Sequence, residues 1–279
     1  MKKNIFKAVA LAIAATACMG MSSCGQETLI VYTESGFAPF EYVKDGNIVG
    51  VDVDIMNLVG KKLNKKVVFE DVNFATIVDA VSAGTLTNVG AAGISVTEER
   101  KQKVDFSTEY YTAALYVIYQ TSEATTFEYK AEDESTRIYW EALAGKTIGV
   151  QSGTTADLFL SDEIKQGGTL WNSDENNAAA RKSDFTALAT AVADIGLNID
   201  VVIIDELPAK QLIQGNNNLT CAPLYYKGDT EAEDEAAVDT YAICVTKGQT
   251  ELLNAINEVL AELGKEGIQQ LVNKHLGLE

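Results

Sequence analysis

The segment Ser95-Val-Thr-Glu-Glu-Arg100 brings a small hydroxyl, a helix start and an arginine together within six residues. That combination suits the grip of a carboxylate. Thr97 can cap a short helix with Glu99 or Arg100 in its first turn, leaving main-chain N–H groups and a guanidinium fork to converge on one anion. Taken alone, the string reads more readily as an ordinary helix start. Two further segments offer polar groups where an α/β cleft needs them. Gly153-Thr-Thr155 follows the apolar run through Val150 and suits a helix N-terminus donating N–H and O–H groups, although a simple N-cap has the same letters. Asp205 follows Val201-Val-Ile-Ile204, at the carboxyl end of a strand where such folds place ligand groups. A cap on the helix beginning Glu206-Leu-Pro208 is its plainer role, and the two roles can coexist.

Other chemistry is poorly supplied. His275 is the sole histidine and lies in an amphipathic C-terminal helix, so a Ser-His-Asp or Cys-His centre would have to be built on it. No metal-ligand spacing surrounds Cys221 or Cys244, and no metal or cofactor is expected. Both cysteines sit in β-like runs as small hydrophobes, which favours unpaired thiols, while an oxidising compartment would allow them to pair. Neither G-x-x-x-x-G-K-[ST] nor G-x-G-x-x-G occurs.

The first 23 residues read as an export signal: Lys2, Lys3 and Lys7, the apolar run Ala8-Val-Ala-Leu-Ala-Ile-Ala-Ala, then Met21-Ser-Ser before Cys24. Small residues ahead of a cysteine resemble a bacterial lipobox, which would make Cys24 the lipidated first residue and anchor the protein to a membrane. Plain signal cleavage between Ala15 and Ser23 is the alternative. The apolar run is too short to span a bilayer. Net charge is −18, and −21 once the three leader lysines are removed. Such a chain disfavours nucleic acid and anionic lipid surfaces, which are held by clustered Lys and Arg. The acidic run Glu231-Ala-Glu-Asp-Glu235 reads as a solvated loop.

Elements able to position these residues follow from periodicity. Thr28 to Tyr32, Lys66 to Phe69 and Val89 to Ala92 read as strands, separated by helices over 53–63 and 75–83. A second series starts at Lys146-Thr-Ile-Gly-Val150, with helices from about Thr155 and over 185–195, and a strand over 200–204. The alternation predicts an α/β fold with parallel strands in two lobes. Thr121 to Thr136 reads as a polar loop, and two helices, over 249–263 and 265–276, finish the chain.

The ordered set Gly36-Phe-Ala-Pro-Phe40, Val49-Gly-Val-Asp-Val-Asp54, Ala92-Gly-Ile-Ser-Val-Thr-Glu-Glu-Arg100, Val104 to Tyr111, Gly145 to Thr155 and Ile203-Ile-Asp-Glu-Leu-Pro208 resembles the family 3 bacterial extracellular solute-binding proteins. These are the polar amino-acid receptors of ABC importers. The resemblance implies a two-lobed periplasmic-binding-protein-like fold (type II) with two hinge strands, lobe one being 28–111 plus 241–279 and lobe two 112–240. It implies a zwitterion trap in which Arg100 takes the ligand carboxylate and Asp205 its ammonium. Ala92, Gly93 and Ser95 would add contacts on one side, and Thr154 and Thr155 on the other. Phe37 and Phe74 would sandwich the ligand side chain, and Glu34 would face its end, favouring an amide or a cation. The implied partners are a free amino acid and ABC permease subunits, with the protein acting as a monomer. Gly84 to Gly90 carries Asn88 where the family commonly has aspartate, and Thr121 to Trp140 is long for the family.

Two other functions fit the same scaffold. A dehydratase of the arogenate or prephenate type needs a general acid over a leaving hydroxyl, and retention of Asp205 points to an ammonium-bearing ligand. A ligand sensor would report to a membrane partner instead of feeding an importer.

Overall fold

The computed structural model describes residues 26–171 and 180–278. The export signal and Cys24 lie outside this range. Among the described residues no helix is long and apolar enough to cross a membrane.

The first sheet has five strands in the order Lys66–Asp71, Thr28–Thr33, Val89–Gly90, Cys244–Thr246, Val104–Phe106. The first three are mutually parallel, as expected. Cys244–Thr246, however, is antiparallel to both neighbours. Parallel neighbours need a crossover element, whereas this strand arrives directly from the second sheet. Helix Val51–Leu63 turns Ile55, Met56 and Val59 inward against Ile256, Val259 and Leu260 of the long C-terminal helix Thr250–Leu276. Each such side chain contributes about 1.5–3 kcal/mol by leaving water. Gly264, at φ 57° and ψ −175°, breaks the C-terminal helix into the two pieces expected from sequence.

The second sheet runs Arg181–Phe185, Thr147–Gln151, Val201–Asp205, Tyr111–Gln120, Leu219–Tyr226, Thr136–Tyr139, Tyr129–Lys130. Here the sequence reading needs two corrections. Phe185, assigned to the start of a helix, instead ends the edge strand Arg181–Phe185, which is parallel to Thr147–Gln151, and the helix is confined to Leu188–Ala193. An edge tolerates charged side chains that a central strand would not. The segment 121–136 is also more ordered than a loop. It holds the short helix Ala124–Phe127, whose Phe127 is buried against Tyr119, and a strand that pairs with Thr136–Tyr139.

The acidic run is partly the solvated segment expected, with Ala232, Glu233 and Glu235 exposed, but two of its carboxylates are engaged. Asp234 accepts from Arg137 Nη1 at 2.6 Å, the Tyr139 hydroxyl at 2.5 Å and the Gly228 amide at 2.9 Å. Glu231 accepts from the Tyr129 hydroxyl and from Glu132 N. These carboxylates bind the segment 129–139 to the turn at 228–234. Among the described residues no cluster of metal-ligating side chains is present.

Strand Tyr111–Gln120 enters the second sheet from the first, and Val238–Tyr241 returns alongside it, antiparallel, with Tyr111 opposite Tyr241 and Thr112 opposite Thr240. The two tyrosine rings stack at 5.7 Å and 29°. The return strand also pairs with residues 94–96, through Val96 N to Thr240 O and Ala242 N to Ile94 O. The segment leading to Arg100 is therefore fastened to the place where the chain passes between sheets.

Candidate functional site

Arg100 lies in the first turn of helix Glu98–Lys103, whose N-cap Thr97 accepts from the Arg100 amide at 3.1 Å. The capping expected from sequence therefore aims the guanidinium inward, where it is buried. Nη1 donates to Ser95 O and Nη2 to Gly153 O, both at 2.7 Å, so one side chain spans from the first sheet's side to the second's. The guanidinium carbon sits 5.7 Å from the Phe74 ring centroid. Burial pulls the Arg100 pKa below its ordinary value, and the nearby Asp239 carboxylate partly offsets this.

Facing it, Thr155 opens helix Thr155–Glu163 and is buried. Its hydroxyl lies 3.3 Å from that of Ser95, and both donate to one Asp239 carboxylate oxygen. The other Asp239 oxygen accepts from Thr240 N at 2.7 Å. Thr154 acts as the N-cap, accepting from Asp157 N at 3.2 Å and donating to Gln151 O at 2.8 Å.

Asp205 ends strand Val201–Asp205, precedes helix Glu206–Leu212 and makes no capping bond with its side chain. One of its oxygens is buried without a partner, and the Tyr241 hydroxyl faces the group without forming a hydrogen bond of normal geometry. Burial, together with the neighbouring Asp239, pushes the Asp205 pKa to about 8. Asp239 is raised too, by burial first, while Ser95 and Thr155 pull it down.

Burial raises the Glu34 pKa, and the neighbouring Gln151 side chain and Gly36 amide oppose the rise, although the Gln151 amide itself donates to Thr186 O at 3.1 Å. Phe37 packs between Phe40 and Tyr241, at 6.0 and 6.1 Å, and against Gly93. Phe74 heads the helix capped by Asn73 and lies beside Arg100. Gly93, at φ 53°, directs its N–H to Asp52 at 2.9 Å rather than into the cleft, and Ala92 is buried among apolar side chains.

Three residues without an assigned role in the sequence reading matter here. Asp239 holds Ser95 and Thr155 together. Asp52 accepts from Gly93 and from the Tyr110 hydroxyl, at 2.5 Å, and burial raises its pKa to about 6. Glu41, fully enclosed beside Asp52, is pushed well above the carboxylate range by burial and then by Asp52, and both its oxygens lack partners. It is held neutral. A signal for Asp239 was available: in Val238-Asp-Thr-Tyr241 strand alternation puts Asp239 on the same face as Tyr241, and both are buried.

Cys221 and Cys244 are unpaired and lie in different sheets, with burial raising the Cys244 thiol to about 12. His275 lies against Asp54 at 3.0 Å and the Tyr42 hydroxyl at 3.2 Å.

A buried guanidinium and buried carboxylates gathered between two sheets suit the capture of a small ligand carrying both charges. Comparison with known proteins agrees. A sequence profile of the bacterial extracellular solute-binding proteins, family 3, matches residues 29–278. The chain is 28% identical to the arginine-binding extracellular protein ArtP of Bacillus subtilis, over 98% of this chain and 97% of ArtP. It is 24% identical to the L-cystine-binding protein TcyJ of Escherichia coli, over 96% and 94%. Among solved structures, the substrate-binding protein AbpA of Streptococcus pneumoniae bound to L-arginine superposes with a TM-score of 0.72 at 25% identity, covering 90% of this chain and 94% of that one. An ancestral arginine-binding protein bound to glutamine gives 0.69 at 28%, covering 91% and 99%. The fold is accordingly the two-lobed one of periplasmic amino-acid-binding proteins, whose members bind solutes without transforming them. The chain belongs to the bacterial extracellular solute-binding proteins, family 3.

Proposed function

We propose that this protein captures a polar amino acid between two lobes and delivers it to the permease of an ABC-type importer. The observation that carries the reading is Arg100, buried and spanning from Ser95 to Gly153, with Asp205 buried and incompletely partnered nearby. Arg100 takes the α-carboxylate, helped by Ser95 and Thr155, and Asp205 takes the α-ammonium. Phe37 and Phe74 border the side-chain space, and Glu34, beside Gln151, favours a side chain that donates hydrogen bonds, cationic or amide. Arginine-binding and cystine-binding relatives support an amino acid of this kind.

The lobes are 28–111 plus 241–279, and 112–240, closing about a hinge near Tyr111-Thr112 and Thr240-Tyr241, where the two strands are paired. Cys24, outside the described residues, carries a lipid anchor that holds the monomeric protein at the outer face of a membrane within reach of the permease.

A thermal-shift panel tests the reading. Purified protein, stripped of carried-over ligand by unfolding and refolding, is melted with each of the twenty amino acids, ornithine, citrulline and cystine. A ligand at 100 times its Kd stabilises the native state by about 2.7 kcal/mol, or roughly 5–10 °C for a chain of this size. One or a few polar amino acids are expected to give such shifts; no shift across the panel would refute the proposal.

A further inference from the structure

The donors assigned to the ligand carboxylate already hold a carboxylate of the chain itself. The Ser95 and Thr155 hydroxyls, from opposite sides of the cleft, both donate to the same oxygen of Asp239, and its other oxygen is held by Thr240 N. Arg100 adds its charge from alongside while donating to two main-chain carbonyls. Asp239 is a buried residue of the return strand, facing the same way as Tyr241. Charged and titratable groups reach it from every neighbouring element: Arg100 from its helix, Asp205 from the end of Val201–Asp205, and Tyr241 from its own strand.

We propose that Asp239 is a specificity-determining residue that occupies the carboxylate clamp until an amino-acid carboxylate replaces it there, and that its retained charge biases the cleft toward cationic ligands. This inference rests on the amino-acid-capture reading and deepens it. Two carboxylates cannot share the Ser95 and Thr155 hydroxyls, because each hydroxyl has a single proton to give. An entering ligand therefore displaces Asp239, and Asp239 remains in the cleft wall as a negative charge. Once the ligand ammonium has displaced the proton from Asp205, Asp205, Asp239 and Glu34 are set against Arg100, so a ligand carrying a second positive charge offsets this excess, a zwitterion does so less, and an acidic amino acid adds to it. In the absence of ligand, Asp239 also joins Ser95 to Thr155 and so holds the two sides together.

The test compares wild type with Asp239→Ala by calorimetry, using L-arginine, L-glutamine and L-glutamate as probes on refolded, ligand-stripped protein. Removing one charge from the wall of a partly enclosed site is worth about a factor of ten in affinity. Asp239→Ala is expected to bind L-glutamine about tenfold more tightly than wild type, and its preference for L-arginine over L-glutamine should narrow by a similar factor. L-Glutamate should gain at least as much. Small-angle scattering of ligand-free samples should show the variant more open than wild type, with the difference vanishing at saturating L-arginine. If Asp239→Ala does not fold, Asp239→Asn, which keeps the shape and an acceptor for both hydroxyls, should still narrow the arginine preference. Wild-type binding with unchanged selectivity in the variant, or uniformly weaker binding of all three probes by it, would overturn the role given to Asp239 and leave the capture reading intact. Failure of wild type and variant alike to bind any amino acid would overturn both.

Discussion

Arg100 donates to the main-chain carbonyls of Ser95 and Gly153, so its loss removes a link between the two sheets' sides and, in the proposed reading, the cation that faces an entering carboxylate. Leaving a buried charge without its partner costs about 3–5 kcal/mol. Arg100→Ala should therefore lower amino-acid affinity by at least about 100-fold, measured by calorimetry on protein shown by circular dichroism to be folded. Asp205 gives a second prediction. With its pKa near 8 it is mostly protonated at pH 7, whereas an ammonium partner favours the carboxylate. Capture should release a proton, so the apparent enthalpy at pH 7 should differ between phosphate and Tris, and affinity should rise as pH increases toward 8. Equal enthalpies in the two buffers would show that no proton is released. At this scale the sequence was partly legible. Ser95 and Arg100 are five residues apart, and Asp205 ends an apolar strand, so type and spacing single them out as candidates. Asp52 and Asp239 take their partners Gly93, Tyr110, Thr155 and Ser95 from 41 to 144 positions away, and local pattern carries little of that.

At the level of elements, the helix over 51–63 shows how a backbone position constrains a strand-to-helix join. Gly50 has φ 144°, and a Cβ there would lie 1.9 Å from Phe40 O. Gly50→Ala should therefore lower the melting temperature sharply or prevent folding. Gly46→Ala, also at positive φ but with no atom within 4 Å of the added carbon, should cost only the left-handed strain of roughly 1–2 kcal/mol. Melting curves of the two variants separate steric exclusion from strain. The helices over 51–63 and 250–276 were readable because their apolar faces repeat at helical spacing, and the break at Gly264 because glycine interrupts that repeat. The edge strand Arg181–Phe185 was missed because its side chains are polar on both faces and its stability comes from pairing with Thr147–Gln151. The ordering of 121–136 was missed because it depends on Phe127 beneath the chain and on Asp234 and Glu231, about 100 residues away.

For the whole molecule, buried carboxyls give stability a direction with pH. Asp205 is raised from 3.8 to about 8 and Asp52 to about 6. A carboxyl that binds its proton more tightly when folded contributes fully below its ordinary value, and the contribution is lost as pH rises through the folded value. Repulsion within a chain of net charge −18 acts in the same sense. The ligand-free protein should therefore melt several degrees higher at pH 5.5 than at pH 8.5, and Asp205→Asn should flatten that slope. A melting temperature that climbs with pH would contradict these assignments. The central claim, reversible capture of an amino acid by a cleft organised on Arg100, is tested most directly by calorimetry on refolded, ligand-stripped protein. Wild type and Arg100→Ala are titrated with the amino acids that stabilise the wild type, and mass spectrometry follows the ligand afterwards. The account predicts one-to-one saturable binding by wild type, unaltered ligand on recovery and no measurable binding by the variant; equally tight binding by the variant, or chemical turnover of the ligand, would contradict it.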